Sequence, residues 1–175
     1  MDTLLSLSAY LGAALKARSL KLALAESCTG GMASQYITAI AGSSTWFDRA
    51  FITYSNQAKM DMLEIPKQTL DIFGAVSEQT AQAMALGAIN NSLADISASI
   101  TGIAGPEGGT ENKPVGMVCF GFAFKTHSFT SKTTPLNAQV ITQTKQFIGD
   151  RDDIRKQSVN HVLETLITLT LSLDL

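Results

Sequence analysis

Ala25-Glu26-Ser27-Cys28-Thr29-Gly30-Gly31 is the stretch on which the reading of this chain turns. The apolar run Lys21 to Ala25 reads as a short buried strand, and Met32, Ala33, Tyr36, Ile37 and Ile40 then recur at helical spacing. A hydroxyl, a thiol and two glycines therefore stand where a strand gives way to a helix. Such a junction lifts a side chain off the carboxyl edge of a sheet, and the helix that follows offers backbone N–H groups to an anion or a developing oxyanion. The same residues also suit a plain Gly-rich turn, so the surrounding chain has to decide between the two.

Working outward, Leu4, Leu7, Leu11, Ala14 and Leu15 predict a helix over 3–18. Gly42 stands where a glycine ends the helix begun at Met32. Ala50 to Thr53 is a second strand, followed by Tyr54-Ser55-Asn56 and a helix through Ala58, Met62 and Leu63 that stops before Pro66. Ser77 suits the cap of a helix whose inner face is Ala81, Met84, Ala85, Ala88 and Ile89. Ile96 to Ile100 is a third strand that runs into Thr101-Gly102-Ile103-Ala104-Gly105-Pro106-Glu107-Gly108-Gly109. Val115 to Phe124 and Gln139 to Phe147 pair as antiparallel neighbours, and Asp150, with Asp153 three residues on, caps a last helix. Alternating strands and helices predict an α/β fold, a three-layer α/β/α sandwich around one mixed, mostly parallel sheet.

The 175 residues fit a single domain, 1–175, and 45% hydrophobic content with 16% charge supports one substantial core. Thirteen basic against fifteen acidic residues leave a net charge of −2 without a Lys/Arg cluster, which argues against nucleic-acid binding. Cys28 and Cys119 have neither CxxC spacing nor Cys/His partners, so no zinc site or disulfide framework is expected. Reduced thiols, the absence of a signal-like start and the lack of an unbroken apolar span predict a cytoplasmic protein that does not enter a membrane.

Open α/β sheets bind ligands beyond the carboxyl ends of their strands. Ser27 to Gly31, Tyr54 to Lys59 and Thr101 to Gly109 all leave strands at that edge, so a shared pocket is expected there. His127, in a hairpin, and His161, on the last helix, are expected to be structural, which disfavours a Ser/His/Asp triad. A lysine can take the place of histidine if apolar surroundings lower its pKa. Lys59, just beyond Tyr54, is the candidate, although the same residue suits a solvated helix surface. Cys28 competes with Ser27 as nucleophile, because a thiol at a helix start is acidified. Side chains alternate along a strand, so only one of the two faces the pocket, and spacing alone does not say which. Neither glycine loop has a Walker A or GxGxxG register, which weakens NTPase and hydride-transfer readings. Arg151, after Gly149-Asp150, suits bidentate phosphate contact and suits a surface ion pair as well.

The Ala25–Gly31 motif, Thr53-Tyr54-Ser55-Asn56 with Ala58-Lys59, Gly74-Ala75-Val76-Ser77-Glu78, Thr101–Pro106 with Gly108-Gly109, Lys113-Pro114-Val115-Gly116 and Gly149-Asp150-Arg151 together resemble the CinA C-terminal domain family. That family includes amidohydrolases that convert nicotinamide mononucleotide to nicotinate mononucleotide and ammonia in pyridine nucleotide salvage. The resemblance implies a Ser/Lys acyl-enzyme mechanism with Ser27 as nucleophile, Lys59 as general base and Tyr54 orienting or polarising the site. It implies substrate contacts at Thr29, Gly30, Gly31, Asn56, Gly102, Gly105 and Arg151, with amides near Thr29 to Gly31 as oxyanion donors and no metal or cofactor.

Full-length CinA carries a further N-terminal domain, so activities of that domain are not expected here. The segment His127 to Gln139 looks longer than the family's hairpin. The competing reading is a non-catalytic nucleotide-binding or regulatory module in which Lys59 stays protonated. A homodimer is expected, and nothing in the charge pattern identifies a partner for a competence or damage role.

Overall fold

The computed structural model describes residues 3–125 and 138–172. In chain order these form α1 (Thr3–Ala17), β1 (Leu22–Glu26), α2 (Met32–Thr38), a 3₁₀ turn (Ser43–Thr45), β2 (Phe47–Ile52), α3 (Asn56–Leu63), α4 (Lys67–Phe73), α5 (Glu78–Asn90), β3 (Ile96–Gly102), β4 (Met117–Lys125), β5 (Ala138–Gln146) and α6 (Arg151–Ser172). The sheet has the order β2-β1-β3-β4-β5. β1 pairs in parallel with β2 and β3, whereas β4 runs antiparallel to both β3 and β5. The sheet is mixed as expected, with four strands pointing one way but only half of its pairings parallel. His127 and most of the 127–139 connection lie outside the described residues.

Alternation along the strands sorts the two faces. Leu22 and Leu24, Ile96, Ala98 and Ile100, and Val118, Phe120, Phe122 and Phe124 all join one large core with Leu11 and Leu15 of α1, Ile37 of α2 and Val162 and Leu166 of α6. Burying a side chain of this size stabilises by about 1.5–3 kcal/mol, so this face supplies most of the driving force. The other face is built from small residues. Ser97 and Ser99 donate to the Ala85 and Ala81 carbonyls of α5 at 2.7 and 2.6 Å. A Cβ on Gly121 would stand 2.4 Å from the Ala81 carbonyl oxygen, so α5 sits as close as it does because the sheet has no side chain there. Ala25 shares this side with Leu63, Leu70 and Met84. The result is the expected three layers, with α1, α2 and α6 on one face and α3, α4 and α5 on the other.

The caps anticipated from sequence form. Ser77 Oγ accepts from Thr80 N–H at 3.1 Å, and Asp150 Oδ1 accepts from Asp152 and Asp153 while Asp153 returns a bond to Asp150 N–H. Two stretches differ from expectation. α2 stops at Thr38, and Gly42 opens the 3₁₀ turn in a left-handed conformation instead of ending a longer helix. α4 was not anticipated. α3 stops at Leu63, before Pro66 as expected, and Pro66 is then the residue from which α4 starts, proline's fixed φ suiting a helix beginning.

Candidate active site

β1 is flanked by β2 on one side and β3 on the other, and the connections leave on opposite faces of the sheet. The carboxyl ends of β1 and β3 therefore bound a crevice at a topological switch point. A cleft of about 290 Å³ opens there, lined by Ser27, Cys28, Tyr54, Lys59, Ala75, Val76, Thr101 to Gly105, Glu107, Gly108 and Arg151. The three loops expected to converge do so, joined by the segment that leads into α5.

The parity of β1 decides between the two candidate nucleophiles. Leu22, Leu24 and Glu26 face α1 and α2, so Ala23, Ala25 and then Ser27 face α3. Ser55 caps α3, accepting from Ala58 N–H at 3.0 Å, and this start turns Lys59 inward. Lys59 is 1% exposed, and its Nζ lies 2.9 Å from Ser27 Oγ and 2.8 Å from the Thr53 carbonyl, to which it donates. Among the described residues it has no carboxylate partner. Burial therefore lowers its pKa from 10.5 to about 8. Cys28 also borders the cleft, but it belongs to the large core, and burial pushes its thiol up to about 12. A thiol held there has almost no thiolate at neutral pH.

Glu26 is fully buried on the opposite side of the strand from Lys59, and its carboxylate closes the start of α2. Oε2 accepts from Gly31 N–H at 3.0 Å and Ala33 N–H at 3.2 Å, and Oε1 accepts from the amide and hydroxyl of Ser34. Gly30 N–H donates to the Ser27 carbonyl at 3.1 Å. The amides of Gly30 and Gly31 are thus taken, which leaves Thr29 of the expected oxyanion donors; its N–H and that of Cys28, which was not among them, have no backbone acceptor among the described residues. The helix dipole expected to serve an anion is answered by the protein's own carboxylate.

Tyr54 and Arg151 meet at the rim. Arg151 Nη1 donates to the Gly105 carbonyl at 2.8 Å and Nη2 to Tyr54 Oη at 3.1 Å. One guanidinium thereby ties α6 to the loops after β2 and β3. Gly105, with φ of +74°, comes so close to Val115 that a Cβ would stand 2.5 Å from its Cγ1. Gly102 also lines the cleft, whereas Thr29, Gly30, Gly31 and Asn56 do not. Thr29 is buried, its hydroxyl without a partner among the described residues, and Asn56 lies exposed at the start of α3. His161 is away from the cleft, bonded to Gln143 and edge-on to Phe120.

Sequence reasoning missed two contributors. Glu26 stood in the opening motif without a role, although a carboxylate just ahead of a helix is a capping signal. Arg155 lies one turn beyond Arg151 on α6, and its Nη2 reaches the Thr29 carbonyl at 2.9 Å.

With this geometry in hand, similarity to known proteins is specific. Nicotinamide-nucleotide amidohydrolase PncC of Enterobacter agglomerans is 48% identical over 161 residues, 92% of this chain and 92% of that protein. Its namesake in Escherichia coli strain K12 is 47% identical over 163 residues, 93% of this chain and 92% of that one. The crystal structure of competence/damage inducible protein CihA from Agrobacterium tumefaciens matches with a TM-score of 0.87 at 39% identity, covering 97% of this chain and 96% of the other. The CinA C-terminal domain family model matches residues 4–170, and with relatives of this closeness along almost its whole length the chain belongs to the CinA C-terminal domain family.

Proposed function

We propose that this protein is an amidohydrolase that deamidates nicotinamide mononucleotide through an acyl-enzyme on Ser27. The observation that carries the mechanism is a lysine buried without a counter-ion among the described residues and in contact with a serine hydroxyl that lines the cleft. A lysine serving only structure would keep its charge and find a carboxylate or water. Relatives named nicotinamide-nucleotide amidohydrolase support the substrate.

When Lys59 is neutral its lone pair accepts the Ser27 hydroxyl proton, while an N–H stays on the Thr53 carbonyl. Ser27 Oγ attacks the carboxamide carbon, the proton passes to Nζ, and the carbonyl electron pair moves onto oxygen. The Cys28 amide, bordering the cleft, and the Thr29 amide behind it, both without a backbone acceptor among the described residues, are the candidate donors to that oxyanion. Collapse breaks the C–N bond, Lys59 hands its proton to the departing nitrogen, and ammonia leaves an ester on Ser27. Water repeats the sequence with Lys59 as base, and the proton returns to Ser27 as nicotinate mononucleotide is released. The cationic pyridinium ring withdraws electrons from the amide, which eases attack. A neighbouring groove of about 430 Å³ shares Ala104, Gly105 and Arg151 with the cleft, so Arg151 stands where a nucleotide extending from one into the other would carry its phosphate.

The test is ammonia release from nicotinamide mononucleotide by the wild type, Ser27→Ala and Lys59→Ala, with nucleotide binding measured in parallel. Release by the wild type alone, with binding kept by Ser27→Ala, is expected. Turnover by Ser27→Ala would remove the nucleophile assignment. Binding without release by folded wild type would favour the non-catalytic nucleotide-binding module.

A further inference from the structure

Arg155 donates to the Thr29 carbonyl across 126 positions of sequence, and its Nε is buried without an acceptor among the described residues. The other bonds that shape the turn after β1 are mostly local: Gly30 N–H to the Ser27 carbonyl, Met32 N–H to the Thr29 carbonyl, and the amides gathered by Glu26. Gly30 and Gly31, at φ of +57° and +99°, adjoin it and give the turn little stiffness of their own. Arg155 is not among the residues lining the cleft, and its Nη2 reaches the turn through the Thr29 carbonyl. Burial dominates the Cys28 thiol, and the Arg155 charge acts in the opposite sense, which places that charge within electrostatic reach of the residue after Ser27.

We propose that Arg155 is a positioning residue for hydrolysis: by gripping the Thr29 carbonyl it holds the Cys28 and Thr29 N–H groups toward the oxyanion that forms on Ser27. The proposal rests on the acyl-transfer reading above. α6 then aligns the site twice, Arg151 gripping the Gly105 carbonyl and Arg155 the Thr29 carbonyl one turn later. A displacement of about 1 Å in such a site costs on the order of a hundredfold in rate, and loss of one oxyanion donor about 10²–10³.

Full-length Arg155→Met and Arg155→Lys would be assayed for ammonia release. Substrate affinity would be measured separately on a Ser27→Ala background. A third readout is affinity for the 3-formylpyridine analogue of the nucleotide, whose aldehyde forms a tetrahedral adduct with a serine. The expected result for Arg155→Met is kcat down about a hundredfold with KM within twofold, and adduct affinity lost in the same proportion. Arg155→Lys, which keeps the charge and a donor, is expected to recover at least tenfold.

An Arg155→Met enzyme with kcat within threefold of wild type overturns the proposal. So does a matching loss of substrate affinity on the Ser27→Ala background, or unchanged adduct affinity. If Arg155→Met does not fold, Arg155→Lys decides alone: a partial kcat loss with parallel adduct loss supports the proposal, and wild-type values for both overturn it. Wild-type protein that releases no ammonia would sink the hydrolase reading itself, a result distinct from an active wild type matched by its Arg155 variant.

Discussion

Replacing Lys59 by methionine removes the amine while keeping an unbranched apolar stem, and it should give a protein that is less active but more stable at neutral pH. The pKa falls from 10.5 to about 8 through burial. At pH 7 the neutral fraction thereby rises from roughly one in three thousand to roughly one in ten. For wild type, log kcat/KM should climb with unit slope from pH 6 and level off near pH 8. Lys59→Met should lose about 10²–10⁴ in rate at every pH.

The stability effect has a definite sign. The unfolded lysine keeps its proton up to about pH 10.5 and the folded one releases it near pH 8, so between those values the unfolded state holds more protons and stability rises with pH. Below pH 8 the buried ammonium costs on the order of 1–3 kcal/mol, which Lys59→Met recovers. The Thr53 carbonyl left without its donor takes back about 1 kcal/mol. Urea denaturation at pH 7 should thus find the variant more stable than wild type by up to about 2 kcal/mol, with the gap closing toward pH 10. A gap independent of pH, or a wild-type rate profile flat from pH 7 to 9, would refute the reasoning.

Three further outcomes are expected. Cys28→Ala should keep activity within a few-fold, since a thiol pushed up to about 12 is no nucleophile at pH 8; a hundredfold loss in ammonia release would reinstate it. Glu26→Gln turns an NH₂ group toward donors that need an acceptor, and should cost about 2–4 kcal/mol in urea denaturation; an unchanged midpoint would remove Glu26 as the cap of α2. Gly105→Ala meets both a left-handed backbone and Val115, and should lose about 1–3 kcal/mol and raise KM as the cleft wall shifts. Wild-type melting and KM would show that the loop has room.

Much of this site could be read in the chain. The strand-to-helix glycine turn, the cap at Ser77 and the Asp150–Asp153 box are local signals, and local chemistry fixes them wherever the rest of the chain lies. α4 escaped because Pro66 looks the same whether a helix ends before it or begins after it, and seven residues carry too few turns of periodicity to show which. The small-residue face on which α5 lies was half visible: the alanines of α5 were read as its inner face, but their closeness to Gly121 depends on β4 arriving beneath them.

Sequence by itself determined the layers, the edge of the sheet that carries the site and, through resemblance, the chemistry to look for. Tertiary structure alone decided which side chain of Ser27-Cys28 faces the cleft, because strand parity counts only once the large core has claimed Leu22 and Leu24 for one face. It also decided that Lys59 is buried with a lowered pKa, the condition the proposed base needs, since the residues that bury it lie far away in the chain.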